Sequence, residues 1–268
     1  MLLLFALVVT LCTGCLFGEE NTDRQCDLDL AFATNSARQK LEILRSDEGI
    51  GVPTFFAEEY PYSTVVRVDE TCTGTLIGPR HVLTSAYCVD GQLPDDTKAN
   101  HKVQLLLRNG SFEEIGVQKL FVPRIWQRKL KGIFFAFDFA VLELVRDHGR
   151  KWMSMGTGKI LRKQNLHTVS YVTDQGETKL WHKYCHVFQV KPGLLLNHCD
   201  VPDGMEGAAL YVFDEKAKKS QKIVGLTTKK SFKVQNWSKR INLAVRLNDW
   251  KIKQICWWIG GGQDCIND

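Results

Sequence analysis

The chain has 268 residues, enough for one large domain or two small ones. Its 44% hydrophobic and 24% charged residues are close to globular averages, which excludes collagen, coiled coil and wholesale disorder. The 35 basic and 30 acidic residues give a net charge of +5, far short of the dense basic face of a nucleic-acid binder. Composition therefore indicates a globular protein, and any indication of function must come from local motifs.

The N-terminus is apolar from Met1 to Leu11, about the length of the hydrophobic region of a secretory signal. We predict a signal peptide over residues 1–15, and cleavage after Gly14 or after Cys15 stays open. A buried strand, a single membrane anchor or a lipoprotein signal is the alternative. The mature protein is expected to be secreted, with no membrane span. The polar residues 16–48 form an N-terminal extension, and whether it is cleaved off is also open.

Cysteines and sequons agree with export. The chain has nine cysteines, and removing Cys12 and Cys15 with the signal leaves seven, an odd number. Scattered cysteines in an exported chain of this size form disulfides in an oxidising compartment. Two N-glycosylation sequons begin at Asn109 and Asn236 and suit a secreted surface.

Beyond Gly51 the chain consists of short apolar runs, separated by turn residues, which are typical of strands in an all-β sandwich or barrel. The predicted strands are Ser63–Val68, Thr73–Ile77, His81–Thr84, Val103–Leu107, Ala140–Leu144, Val187–Val190, Ala208–Phe213 and Ile223–Thr227. From Val245 to Trp258 apolar residues follow a helical period, and Gly260–Gly262 end this predicted helix.

Two further patterns have simple interpretations. The nine basic residues from Lys216 to Arg240 suit a solvated loop with edge strands, and binding of an anionic ligand is the alternative. His182 and His186 have the spacing of a zinc-binding pair, but such a pair needs a helix and this run indicates a loop that leads into a strand. We therefore predict neither a metal nor a cofactor.

Four segments resemble the trypsin/chymotrypsin family. Cys72–Cys88 reads CTGTLIGPRHVLTSAYC and resembles the family signature C-G-G-S-L-I-x-x-x-x-V-L-T-A-A-H-C; its wording GPRHVLTS is similar to a trypsin-like subfamily abundant in nematodes. Phe137–Leu144 resembles the D-I-A-L-L-x-L strand, and Asp203–Leu210 resembles G-D-S-G-G-P-L. Ile223–Leu226 is similar to the G-I-V-S-W strand that follows. The matches come in the family's order.

The resemblance implies a fold of two packed antiparallel six-stranded β-barrels with a short C-terminal α-helix. The trypsin-like domain is expected over residues 49–259. Its first barrel would cover about 50–150, its second about 151–244 and its helix about 245–258. Residues 260–268 would form a tail. The resemblance also implies disulfides Cys72–Cys88 and Cys185–Cys199 and leaves open the pairing of Cys26, Cys256 and Cys265.

The catalytic positions of the family have changed. By the resemblance, Tyr87 occupies the position of the catalytic His and Glu206 that of the nucleophilic Ser, while Asp138 keeps the triad Asp. A phenol with a pKa of about 10 cannot take a proton near neutral pH. In subtilisin, loss of the Ser or the His alone costs roughly a million-fold in kcat. The former oxyanion hole would use the backbone N–H groups of Gly204 and Glu206.

The neighbouring positions have changed as well. Met205 replaces the acidic residue that in the family pairs with a freshly cleaved N-terminus, and neither Arg nor Lys directly precedes Ile50. Ala208 and Ala209 replace the family's second Gly and Pro. These coordinated changes indicate a pseudoprotease, a non-enzymatic member of the family.

The predicted role is a secreted, monomeric recognition module for an unknown protein or an anionic surface ligand, without nucleic acid. Family members that lack the triad serve as binding, carrier, growth-factor-like or antimicrobial proteins. One alternative is a hydrolase in which the carboxylates of Asp138 and Glu206 act as a pair, as in glycoside hydrolysis. Another is an inactive paralogue with no ligand of its own.

Overall fold

The computed structural model describes most of the chain from Gly49 onward, namely residues 49–92, 101–128, 134–156, 160–174, 177–199, 201–214, 220–233 and 240–261. The predicted signal peptide, the N-terminal extension, residues 262–268 of the tail and Asn236 lie outside these residues. The described part contains two closed six-stranded antiparallel barrels and a short C-terminal helix, which confirms the predicted fold class.

The first barrel closes in the order β2-β3-β4-β7-β6-β5. Its strands are β2 (Val65–Val68), β3 (Cys72–Gly78), β4 (His81–Thr84), β5 (Lys102–Leu106), β6 (Phe112–Phe121) and β7 (Ala140–Leu144). A four-residue helix, α1 (Arg124–Gln127), follows β6, and a 3-10 turn, Phe134–Phe137, comes before β7. Branched aliphatic side chains such as Val66, Leu76 and Leu142 fill the interior.

The second barrel closes in the order β10-β11-β14-β13-β12-β9, and a β10–β9 ladder completes it. Its strands are β9 (Asn165–Asp174), β10 (Glu177–Lys191), β11 (Leu194–Asn197), β12 (Ala209–Asp214), β13 (Ser220–Lys233) and β14 (Arg240–Arg246). Two short strands join its wall: β1 (Ile50–Gly51) pairs with β10, and β8 (Ser154–Met155) runs parallel to β13.

A shared apolar core joins the two barrels. Leu83 and Phe139 of the first barrel belong to the same buried cluster as Tyr171 and Tyr211 of the second. Ile255 of the C-terminal helix belongs to this cluster too. Because burial of apolar surface is the main favourable term in folding, this interface holds fixed the junction at which the candidate site lies.

The C-terminal helix, α2 (Asp249–Trp258), begins four residues later than the periodicity predicts. Strand β14 continues to Arg246, so Val245 lies in a strand rather than in a helix. Asn248 then caps the helix, because its side-chain oxygen accepts a hydrogen bond from the Lys251 N–H group at 3.4 Å. The apolar residues that predicted one helix from Val245 therefore belong to two elements, the end of β14 and the helix α2.

Both predicted disulfides are present. Cys72–Cys88 joins β3 to the turn after β4, with a Cα–Cα distance of 6.0 Å. Cys185–Cys199 closes the β10–β11 hairpin, with a Cα–Cα distance of 4.9 Å. Cys256 is disulfide-bonded as well, while Cys26 and Cys265 lie outside the described residues. Within the described ranges, no helix is long and apolar enough to cross a membrane.

Lys251 is a fully buried lysine on α2. Its Nζ donates hydrogen bonds to the carbonyl oxygens of Gly193 at 2.9 Å and Arg246 at 2.8 Å, which ties the helix to the β10–β11 turn and to the end of β14. Burial, and to a lesser extent the charge of Arg246, lowers the pKa of Lys251 to about 7.

Replacement of Lys251 by Met should therefore change how stability depends on pH. In the unfolded chain a lysine keeps its proton up to a pKa of about 10.4. Between about pH 7 and pH 10 the unfolded state thus binds more protons, so this group makes the free energy of unfolding rise with pH by at most about 1.4 kcal/mol per unit.

Urea unfolding across this pH range should show that the wild type has a steeper rise than Lys251→Met. The exposed Lys253 on the same helix provides the control, and Lys253→Met should keep the wild-type slope. Equal slopes for the wild type and Lys251→Met would contradict the assignment.

Candidate functional site

A tight turn from Gly204 to Ala208 lies where the two barrels meet. Gly204 and Gly207 have φ values of +93° and +82°, a region that favours glycine. A Cβ atom on Gly207 would lie 2.5 Å from the Thr73 carbonyl oxygen and 2.7 Å from the Ser85 nitrogen. The first barrel therefore packs directly on the backbone of this turn, and a larger residue does not fit at Gly207.

Threonines from both barrels hold the turn in place. Thr73 of β3 donates its N–H to the Glu206 carbonyl oxygen at 2.9 Å and its hydroxyl to the Gly204 carbonyl oxygen at 2.6 Å. From β13, the hydroxyl of Thr227 donates to the Met205 carbonyl oxygen at 2.5 Å. These bonds satisfy the buried peptide groups of the turn and fix its backbone between the barrels.

The Glu206 side chain folds back onto this turn. The residue is only 4% exposed, and its Oε2 accepts a hydrogen bond from the Gly204 N–H group at 3.0 Å. A hydrogen bond to a carboxylate is charge-assisted and stronger than one between neutral groups. The N–H group of Gly204, which in the family's arrangement would point at a substrate oxygen, thus donates to a side chain of the protein itself.

Asp138 is buried, at 2% exposure, between β7 and the turn after β4. Its Oδ1 accepts hydrogen bonds from the Ser85 hydroxyl at 2.5 Å and from the Tyr87 backbone N–H at 2.8 Å. The side chain of Tyr87 is 42% exposed, so its ring lies toward solvent. A serine hydroxyl and a backbone amide therefore stabilise the carboxylate.

Ser85 is the residue that the sequence analysis missed. It is fully buried, and its hydroxyl reaches the carboxylate that an imidazole N–H would contact in an active family member. The sequence did contain a sign of this role. The chain reads LTSAYC where the family signature has L-T-A-A-H-C, so Ser85 replaces an alanine two residues before Tyr87.

Met205 fills apolar space. It is fully buried in the interior of the second barrel, in one cluster with Leu195 and Leu210. Ile50, at the predicted start of the domain, is not preceded by Arg or Lys. It belongs to the β1–β10 ladder, in which it pairs with His182. A thioether in an aliphatic cluster offers no charge for an N-terminal ammonium group.

The three residues predicted to occupy the triad positions lie close to one another. Cys88, next to Tyr87, has its Sγ 3.6 Å from the Glu206 carbonyl oxygen, and the Tyr87 N–H bonds to Asp138.

One predicted glycosylation site lies elsewhere. Asn109 is exposed beside the β5–β6 turn, and its Oδ1 accepts hydrogen bonds from the N–H and hydroxyl of Ser111.

The histidines of the zinc-like spacing, His182 and His186, lie on strand β10. Burial lowers the pKa of His182 to about 4, so this imidazole is neutral near pH 7. In the part of the chain that the structure describes, no group of three or more His, Cys, Asp or Glu side chains is placed to hold a metal ion.

Comparisons with known proteins agree with this geometry. The trypsin family model matches residues 50–185. Serine protease 23 of Bos taurus is 30% identical over 261 residues, which cover 87% of this chain and 69% of that protein. Inactive serine protease 35 of Homo sapiens is 26% identical over 292 residues, which cover 84% of this chain and 70% of that protein.

A solved structure, "Structure of Glu endopeptidase in complex with MPD", superposes with a TM-score of 0.59 at 19% identity, over 80% of this chain and 98% of that one. This likeness shows the fold alone. Together with the family model and the relatives, the two barrels place the chain in the trypsin family, which includes degenerate members. The similarity to a nematode subfamily stays a prediction.

Loss of the Glu206 carboxylate should destabilise the protein. Glu206→Ala leaves the Gly204 N–H without its acceptor, and we expect a loss of about 1–3 kcal/mol in the free energy of unfolding. Glu206→Gln keeps an acceptor oxygen but no charge and should lose less. Urea unfolding of both variants measures this order, with the exposed neighbour Asp203→Asn as the control. A Glu206→Ala protein as stable as the wild type would contradict the structural role.

Proposed function

We propose that this protein is a secreted, non-catalytic trypsin-like module that binds a protein or an anionic surface ligand. The observation that supports this most directly is the hydrogen bond from the Gly204 N–H to the Glu206 carboxylate. An oxyanion hole works because its donors are preorganised and available for the charge that develops in the transition state. Here one donor is already engaged by an anion of the protein itself.

The remaining groups do not supply acyl-transfer chemistry. Acyl transfer needs a nucleophile beside a base that can accept its proton near pH 7, and the phenol of a tyrosine such as Tyr87 cannot do so. Ser85 is a hydroxyl beside a carboxylate, but it is fully buried and donates to Asp138. A substrate cannot reach an atom that the fold encloses.

A hydrolase that uses two carboxylates is less well supported. Glycoside hydrolysis needs both carboxyl groups to face the scissile bond from opposite sides of the substrate. Asp138 and Glu206 are 2% and 4% exposed, and each accepts a hydrogen bond from the protein's own backbone. Their burial favours a structural polar cluster over an open active site.

Export and glycosylation belong to the same proposal. The two disulfides suit an oxidising compartment, and the exposed Asn109 sequon lies where a glycan can be attached without disturbing the core. Recognition would use the loops that the rigid barrels carry. A pull-down with the tagged, secreted protein from its source fluid tests for a partner; an empty result would favour a paralogue without a ligand.

The purified protein is expected to be inactive. It should not hydrolyse peptide esters above background, with or without trypsin pre-treatment, because neither Tyr87 nor Glu206 can supply the base or the nucleophile of the family. A fluorophosphonate probe should leave the chain unlabelled, while an active trypsin in the same assay serves as the positive control. Stoichiometric labelling of any serine would overturn the proposal.

Restoration of two triad residues should not restore the enzyme. We expect Tyr87→His combined with Glu206→Ser to give at most trace esterase activity, because Met205 and Ala208 still differ from the family pattern around the hole. The double variant should also have a lower Tm, since the bond from Gly204 N–H to the carboxylate is lost. Robust proteolysis at an unchanged Tm would refute this account.

A further inference from the structure

Two tryptophans stand on the solvent face of α2. Trp257 is 79% exposed and Trp250 is 43% exposed. They are seven residues apart, which places them on one side of a helix, two turns from each other. Lys253, also exposed, lies between them. The solvent side of this helix is therefore a stripe of two indoles and an ammonium group, which we call the tryptophan stripe.

The opposite face of α2 packs against the apolar core. Ile252 and Ile255 are buried, and Trp258 stacks on Phe121 of β6 with a centroid distance of 5.8 Å. Lys251 ties the helix to two carbonyl groups of the second barrel. The stripe is thus held on a rigid support, and the exposed ring of Trp257 adds little to folding.

Three further cations lie on elements that contact α2 directly or through one neighbouring turn. The Nζ of Lys119 lies 4.6 Å from the centroid of Phe121, the ring that stacks on Trp258. Arg124 and Arg128 are exposed on and directly after α1, which packs beside the 3-10 turn Phe134–Phe137. In that turn, the Phe137 ring is 5.3 Å from Trp250. The acidic residue of α2 is Asp249, at its first position.

We propose that the tryptophan stripe and these cations form a peripheral binding site for an anionic lipid bilayer. Indole rings prefer the headgroup boundary of a membrane, because they combine a large apolar body with one N–H donor. Lysine and arginine side chains next to them are attracted to anionic lipids. Against these four cations stand Asp249 of α2 and Glu143, the cross-strand neighbour of Lys119, so these described charges sum to a positive value that complements such a bilayer.

A lipid surface fits the stripe better than a second copy of the chain. A ten-residue helix is about 15 Å long, and its solvent face is small beside the roughly 800 Å² per partner of a standard protein interface. A soft headgroup layer needs no preformed complementary pocket for a ring as exposed as Trp257. The site is independent of the degenerate triad.

The test is sedimentation of the full secreted chain with vesicles of phosphatidylcholine, alone or mixed with phosphatidylserine. We expect binding to the mixed vesicles, with a blue shift of tryptophan fluorescence, and little binding to phosphatidylcholine alone. Raising the salt from 0.1 M to 1 M should weaken binding, because the Debye length falls from about 10 Å to about 3 Å.

Variants distinguish binding through the tryptophan stripe from non-specific binding through any exposed tryptophan. Trp250→Ala with Trp257→Ala should weaken binding at least about tenfold, since burial of an indole contributes more than a tenfold step in affinity. Lys253→Glu should weaken it too. The control is Trp152→Ala, which removes a tryptophan that is 46% exposed on the segment between the barrels and should bind like the wild type.

Three results would overturn the proposal. The first is no binding to the mixed vesicles, and the second is equal binding to both kinds of vesicle. The third is an equal effect of Trp152→Ala and the double variant. Self-association, or retention on heparin, that depends on Trp257 without vesicle binding would assign the stripe to a second copy or to a sulfated polysaccharide instead.

Discussion

The turn between Gly204 and Gly207 is the constraint on which the candidate site depends. Both glycines have positive φ, and at Gly207 the first barrel leaves no room for a Cβ atom. Thr73 and Thr227 bond to carbonyl groups of the turn from opposite sides. Because these contacts involve backbone atoms, they hold whatever side chains occupy positions 205 and 206. The shape of a protease site can therefore persist after its chemistry has gone.

The predicted replacement of the triad histidine by Tyr87 raises a different physical problem, because it would leave the buried Asp138 carboxylate without an imidazole donor. An unpaired buried carboxylate costs several kcal/mol or takes up a proton. In this chain the hydroxyl of Ser85 and the backbone N–H of Tyr87 bond to Asp138. The Tyr87 ring can then turn toward solvent. Retention of the aspartate is explained by its role as an acceptor for two neighbouring elements of the first barrel.

The sequence predicts the barrels well where a strand is mostly one apolar run, as in β7 and β12. It misses β6, β9, β11 and β14, in which polar residues interrupt the apolar ones or the run is short. In β6, for example, Ile115 and Val117 are buried while Gln118 and Lys119 are exposed, so the strand shows neither a long apolar run nor a strict alternation. Pairing across the barrel defines such strands, and pairing partners distant in the chain are invisible to local patterns.

At the site, residue types alone locate Tyr87, Asp138 and Glu206, because each stands in a motif of fixed spacing. The contacts that these three residues make are not predictable in this way. Ser85 bonds to Asp138 across 53 positions of the chain, a tertiary contact that needs the first barrel to close. The direction of the Glu206 side chain could be proposed beforehand only because the turn's N–H groups attract an anion.

The residues predicted at the altered positions and their neighbours share one physical feature, which is that their polar groups are paired and their apolar groups are buried. Active sites lower stability because their polar groups are kept available for a substrate. Here Glu206 engages one available donor, and Met205 adds apolar contacts inside the second barrel. The neutral hydroxyl of Ser85 bonds to the carboxylate that an imidazole would contact in an active family member. The proposed binding role therefore falls to the exterior of the chain. Of the large apolar side chains that the structure describes, Trp257 is the most exposed, and it stands on a helix that the core already holds rigid.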